Sequence, residues 1–131
     1  MARYLCSFTV VVPFDEVNAA PAVPRRFEFV DYLRQLLTEV LQACSLDIIY
    51  DTGDYVMARE IPGEVPFTKL VTVEVLIDKI SATDTEARMN FVIKNEELPL
   101  QVNNHCHQMF NLVYQAITNN HNWQLVESVA G

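Results

Sequence analysis

Apolar and polar residues alternate from Tyr4 to Val12. Tyr4, Cys6, Phe8, Val10 and Val12 share one side, and Ser7 and Thr9 the other. A period of two carried by β-branched and aromatic residues predicts a strand. Leu5 and Val11 on the second side predict that this side is partly covered as well. Across residues 25–44 the period changes. Val30, Leu33, Leu37, Val40, Leu41 and Cys44 recur three and four apart, with Leu36 beside them and Glu28, Asp31, Arg34, Gln35, Thr38, Glu39 and Gln42 elsewhere. That is the stripe of an amphipathic helix. Pro24 just before it suits a first-turn position.

Two short strands are predicted at 46–50 and 55–60, joined across Asp51-Thr52-Gly53-Asp54, where Gly53 supplies the positive φ of a tight turn. Residues 62–66 form a loop. Residues 70–79 are the strongest strand, with Val71, Val73, Val75 and Ile77 alternating against Thr72, Glu74 and Asp78. After a turn at Thr83-Asp84-Thr85, residues 86–95 return with Ala87, Met89, Phe91 and Ile93 inward and Arg88, Asn90 and Lys94 outward, completing a hairpin. A second helix is expected over 101–119, with the stripe Val102, Cys106, Met109, Phe110, Val113, Ala116 and Ile117. Residues 123–129 read as a last strand. The Pro- and Ala-rich stretch 14–26 reads as a loop.

The order β-α-β-β-β-β-α-β, with one polar face on the hairpins, predicts an α+β two-layer sandwich in which two amphipathic helices lie on one face of an antiparallel sheet. Lengths agree: about 18 helical residues span roughly 27 Å, and about 8 strand residues roughly 26 Å. The other face, carrying Thr72, Glu74, Arg88, Asn90 and Lys94, is left free for a partner.

Composition narrows the function. The 131 residues suit one domain, and half of them are hydrophobic, which excludes disorder as the main description. Nine Lys and Arg against 17 Asp and Glu give a net charge of −8. Affinity for nucleic acid or anionic membranes needs clustered cations, and the only adjacent basic pair is Arg25-Arg26. A mean hydropathy of +0.11 in so acidic a chain points to a dense core or to apolar surface covered by another subunit. Three separated cysteines, Cys6, Cys44 and Cys106, suit small buried hydrophobes in a reducing compartment. No apolar run reaches the roughly 18–20 residues of a membrane helix, and the alternating run Tyr4 to Val12, with no small-residue cleavage pattern after it, reads as a strand rather than a signal peptide. A cytoplasmic protein is expected.

Candidate chemistry is thin. His105 and His107 stand two apart on a helix, about 200° around it, so they cannot share one ion. They are expected in solvent with Cys106 in the core, and His121 lies past the helix end. Asp47, Asp51, Asp54, Glu60 and Glu64 make an acidic hairpin without calcium-loop spacing. It reads as a solvated loop that keeps the sheet edge from aggregating, or, in competition, as an acidic docking patch rather than a catalytic pair. Nucleophile elbows and phosphate loops are missing from the sequence. No catalytic residue, metal ligand or cofactor is therefore assigned.

Three stretches, Tyr55–Gly63, Leu70–Asp78 and Asn95–Val102, resemble a group of small uncharacterised cyanobacterial proteins. The resemblance implies a cytosolic or thylakoid-facing location and service to a photosynthetic or electron-transport complex. It transfers no catalytic residue. The expectation is a non-enzymatic accessory or assembly protein that binds another protein, or a second copy of itself, through Asp51, Asp54, Glu60, Glu74, Arg88 and Asn90. The alternative is a carrier holding a small hydrophobic ligand between sheet and helices against Met57, Phe91 and Phe110.

Overall fold

A computed structural model describes residues 1–12, 25–63, 65–100 and 103–130, without the side chains of 25–27. The loop expected at 14–26 therefore falls outside the described residues up to position 24, as do Glu64 and Val102. The elements are β1 (Ala2–Val11), α1 (Arg25–Ala43), β2 (Leu46–Thr52), β3 (Tyr55–Glu60), β4 (Thr72–Ile77), β5 (Glu86–Asn95), α2 (His105–Thr118) and β6 (Gln124–Ala130), with a short 3-10 turn at Phe67–Lys69. The six strands form one antiparallel sheet ordered β2-β3-β4-β5-β1-β6. The fold is α+β, in the predicted element order.

Period-two burial defines the layers. Val56 and Ala58, Val73, Val75 and Ile77, Ala87, Met89, Phe91 and Ile93, and Cys6, Phe8 and Val10 are all buried. Registers such as Val56↔Val75↔Phe91↔Cys6 place them on one face. That face receives Phe29, Leu33, Leu37 and Leu41 of α1 and Cys106, Met109, Val113 and Ile117 of α2. α1 lies over β2 and β3, α2 over β1 and β5, and the helices touch each other.

One handedness rule explains why both helices share a face. Counting antiparallel steps along the sheet makes β1 parallel to β2, and β5 parallel to β6. Each helix thus links a parallel pair. The two links start from oppositely directed strands and leave in opposite directions, so crossovers of one hand must fall on the same side.

Element ends are locally determined. Ser45 adopts φ 64°, and this left-handed residue turns the chain from α1 into β2. Gly53, at φ 59°, closes the β2–β3 hairpin as expected. α2 begins four residues later than predicted because Asn104 caps it, its side-chain oxygen accepting the His107 N–H at 3.0 Å. At its other end the indole N–H of buried Trp123 donates to the Ile117 carbonyl at 2.9 Å, joining β6 to the helix. Residues 123–129 do form the last strand, shifted by one.

One-sided burial has a direct energetic consequence. Phe91→Ala, on the covered face, is expected to cost about 3–5 kcal/mol. Val92→Ala, its neighbour on the open face, should cost about 0.5 kcal/mol or less. Urea unfolding of the two variants measures the contrast.

Candidate functional site

Two regions carry the polar chemistry. The first is a corner where the end of β3, the end of β5 and the start of α2 meet. Glu97 is buried at 5% exposure, and three donors converge on its carboxylate. The Asn95 side-chain amide gives a bond of 2.5 Å, the His105 backbone N–H 3.1 Å and the Cys106 backbone N–H 2.9 Å, while the Glu97 N–H returns to the Asn95 side-chain oxygen at 3.0 Å. This carboxylate satisfies two of the N–H groups a helix leaves open at its start, where negative charge is also favoured. Burial alone would raise its pKa. The bonds from Asn95, Cys106 and His105, with Lys69 nearby, outweigh that and hold the carboxyl below its ordinary value.

Beside it the Nε2–H of His105 donates to both Glu60 oxygens, at 2.7 and 2.8 Å. Glu60 also accepts the Val71 N–H at 3.2 Å. The two side chains are only 16% and 13% exposed. His105 is therefore not the solvated histidine the sequence suggested. A partner 45 residues away holds it, and no helical spacing reveals that. His107 is exposed as expected, resting against Tyr4 at 5.2 Å. Cys106 is buried, and burial with the nearby Glu97 charge pushes its thiol up to about 12. Burial does the same to Cys6, also to about 12. Thiols held this high supply almost no thiolate at neutral pH. Among the described residues no group of three His, Cys, Asp or Glu could hold a metal ion, and no helix is long and apolar enough to cross a membrane.

The second region is the open face of the sheet, built in cross-strand rows. Arg59, Thr72, Lys94 and Arg3 form the first. Met57, Glu74, Val92 and Leu5 form the next, followed by Tyr55, Leu76, Asn90, Ser7 and Val129, and then Arg88, Thr9 and Glu127. Leu5 and Leu76 are 42% and 48% exposed, and Tyr55, Met57 and Val92 are half-buried. Arg88 donates to the Ser7 hydroxyl at 3.1 Å. Lys94 stands 3.4 Å from Glu74, which also bonds the Tyr55 phenol.

The expected docking residues are thus divided among three places. Glu74, Arg88 and Asn90 do share the open face. Asp51 and Asp54 sit at the far end of the β2–β3 hairpin, Asp51 paired with Arg34 of α1 and Asp54 lying 3.9 Å from Lys79. Glu60 points to the helix side and is spent on His105. The acidic hairpin is therefore not one free anionic patch, because cations on other elements fold back onto it. The ligand-pocket residues separate too. Met57 alternates onto the open face, whereas Phe91 is in the core and edge-on to Phe8 at 5.4 Å. Phe110 stacks on Tyr4 at 5.3 Å. Between the layers, fully buried Phe8, Phe29, Phe91, Leu33, Leu37 and Met89 pack together.

Sequence reasoning missed Glu97, Arg3 and Arg59. Asn104 was the available signal for where α2 starts, and parity with Val56 and Ala58 was the signal for Arg59. Comparison with protein families, with curated proteins and with solved structures finds no match.

Glu97→Ala is expected to destabilise the fold by about 2–3 kcal/mol, since it strands buried donors. Folded Glu97 holds its proton less tightly than the unfolded chain, whose ordinary value is near 4.5. Its contribution is complete above that value and drains away as pH falls through the lower folded one. Stability measured by urea from about pH 5 to 3 should therefore fall more shallowly in Glu97→Gln than in the parent protein.

Proposed function

We propose that this chain is a non-enzymatic accessory or assembly protein that binds another protein through the open face of its sheet. One observation supports the reading above the others. A band of half-exposed apolar side chains, Leu5, Met57, Leu76 and Val92, crosses four strands between two rows that carry charge. A partner laid on that band removes apolar area from water at about 25 cal/mol per Å², and the flanking charges set orientation. The polar corner, by contrast, is consumed internally. Glu60, His105 and Glu97 bind one another or the backbone and serve to hold α2 on the sheet.

A carrier role for a hydrophobic ligand has no support from the placement of Met57, Phe91 and Phe110 on different sides of the sheet. The resemblance of residues 55–63, 70–78 and 95–102 to small cyanobacterial proteins supports a partner in a photosynthetic or electron-transport complex, met in the cytoplasm or at the thylakoid surface.

Leu76→Glu tests the reading. It buries a charge in the proposed interface but stays half-exposed in the free protein. Affinity capture from native cells with the full chain as bait, read by quantitative mass spectrometry, is expected to lose the specific partner about ten-fold or more. The thermal midpoint should stay within a few degrees of the parent. Equal recovery with Leu76→Glu would sink the open-face interface.

A further inference from the structure

The first row of the open face is unlike the rest of the molecule. In a chain of net charge −8, three of the nine Lys and Arg, Arg59, Lys94 and Arg3, occupy one row with Thr72 between the first two. The strand spacing of about 4.8 Å spreads them over about 14 Å. Lys94 is partly neutralised by Glu74 at 3.4 Å. Arg3 and Arg59 are exposed and, among the described residues, make no hydrogen bond or ion pair. Arg34, Lys79 and Arg88, by contrast, are used: Arg34 on Asp31 and Asp51, Lys79 beside Asp54, and Arg88 on the Ser7 hydroxyl. Adjoining the row is a pocket of about 170 Å³ lined by apolar Met1, Phe67 and Leu70 together with Arg59, Thr72, Lys94 and Glu96. A cavity of about 150 Å³ already accepts a benzene ring, so this one has room for a single large side chain.

We propose that the row Arg59–Thr72–Lys94–Arg3 receives an acidic, extended segment of a protein partner, whose one apolar side chain fills the adjoining pocket. The proposal rests on the open-face reading and names the partner's chemistry. In an extended chain, side chains two and four residues apart share a face and stand about 7 and 14 Å apart. Carboxylates at such positions reach from one arginine to the other. Guanidinium groups suit them, offering paired donors in a fork. The wider field selects the class of anion. The net negative charge repels an extended polyanion such as duplex nucleic acid or an anionic bilayer, whereas a short segment with two or three carboxylates places its charge on Arg3 and Arg59, Glu74 being already paired with Lys94. Salt screens such exposed pairs, so the contact weakens as ionic strength rises.

The test titrates the isotopically labelled full chain, by amide NMR at low salt, with a short synthetic peptide carrying aspartates at every second position around one phenylalanine. Shift changes are expected at residues 3, 59, 72 and 94 and around Phe67. Arg59→Gln and Arg3→Gln should each weaken binding about five-fold, and together about ten-fold or more. Lys79→Gln, at the far end of the sheet, should change nothing. Changes centred elsewhere, equal binding of a peptide with lysines in place of the aspartates, or unaltered binding by the double variant would overturn the proposal. So would tighter binding of duplex DNA or phosphatidylserine vesicles, or a dimer in sedimentation that Arg59→Gln dissociates, which would make a second copy the occupant. If Leu76→Glu abolishes partner capture while the arginine variants bind peptide and partner as before, the open-face reading stands and the cationic row falls. If neither substitution matters, both fall.

Discussion

Every feature of this protein follows from burying one face of a six-stranded sheet and leaving the other in water. Hydrophobic residues at alternate positions of four strands, β3, β4, β5 and β1, need cover, and two helices of 14 and 19 residues are long enough to provide it. Because both crossovers obey the same hand, the cover is all on one side. The second face then carries what its strands put there: charged rows at either end and a half-exposed apolar band between them. The surface available to a partner is thus a by-product of how the core is made.

The helices are fixed to that core by polar contacts at their ends as well as by apolar stripes. Asn104 and Glu97 satisfy the start of α2, and Trp123 takes up a carbonyl at its end. Glu60 and His105 tie the end of β3 to the same helix. At the opposite end, Arg34 of α1 bonds the Gly53 carbonyl and Asp51 and so anchors the β2–β3 turn. Groups that look like chemistry in the sequence, a histidine pair, a cysteine and a run of acids, are in large part the fastenings of the fold. Their bonds lower their availability for any other task, and the two cysteine thiols held near 12 are the plainest instance.

Charge tells a similar story. The chain average of −8 suggests an acidic molecule looking for a basic partner. The distribution is different, because Asp51, Asp54, Glu60 and Glu74 each have a cationic or imidazole neighbour. Arg3 and Arg59 stand exposed in one row. Sign and magnitude summed over a sequence describe solubility and long-range repulsion. Docking depends on which charges remain unpaired at one place.

The period of two and the period of three to four determined the elements, their order and the inward residues, because side-chain direction in a strand or helix depends only on local geometry. Gly53 was legible for the same reason, answering the demand of its own turn; Asn104 carried the same kind of local signal, but the apolar period alone put the helix start at residue 101. Sheet order was not legible. Nothing local places β1 between β5 and β6, and only that placement sets Arg3 beside Lys94 in a row with Arg59. The pairing of Glu60 with His105 and the capping of α2 by Glu97 were equally hidden, since they join residues from different elements at distances the chain's own spacing does not encode. What a residue faces is written in its neighbours along the chain; what it meets is decided by which strands lie side by side.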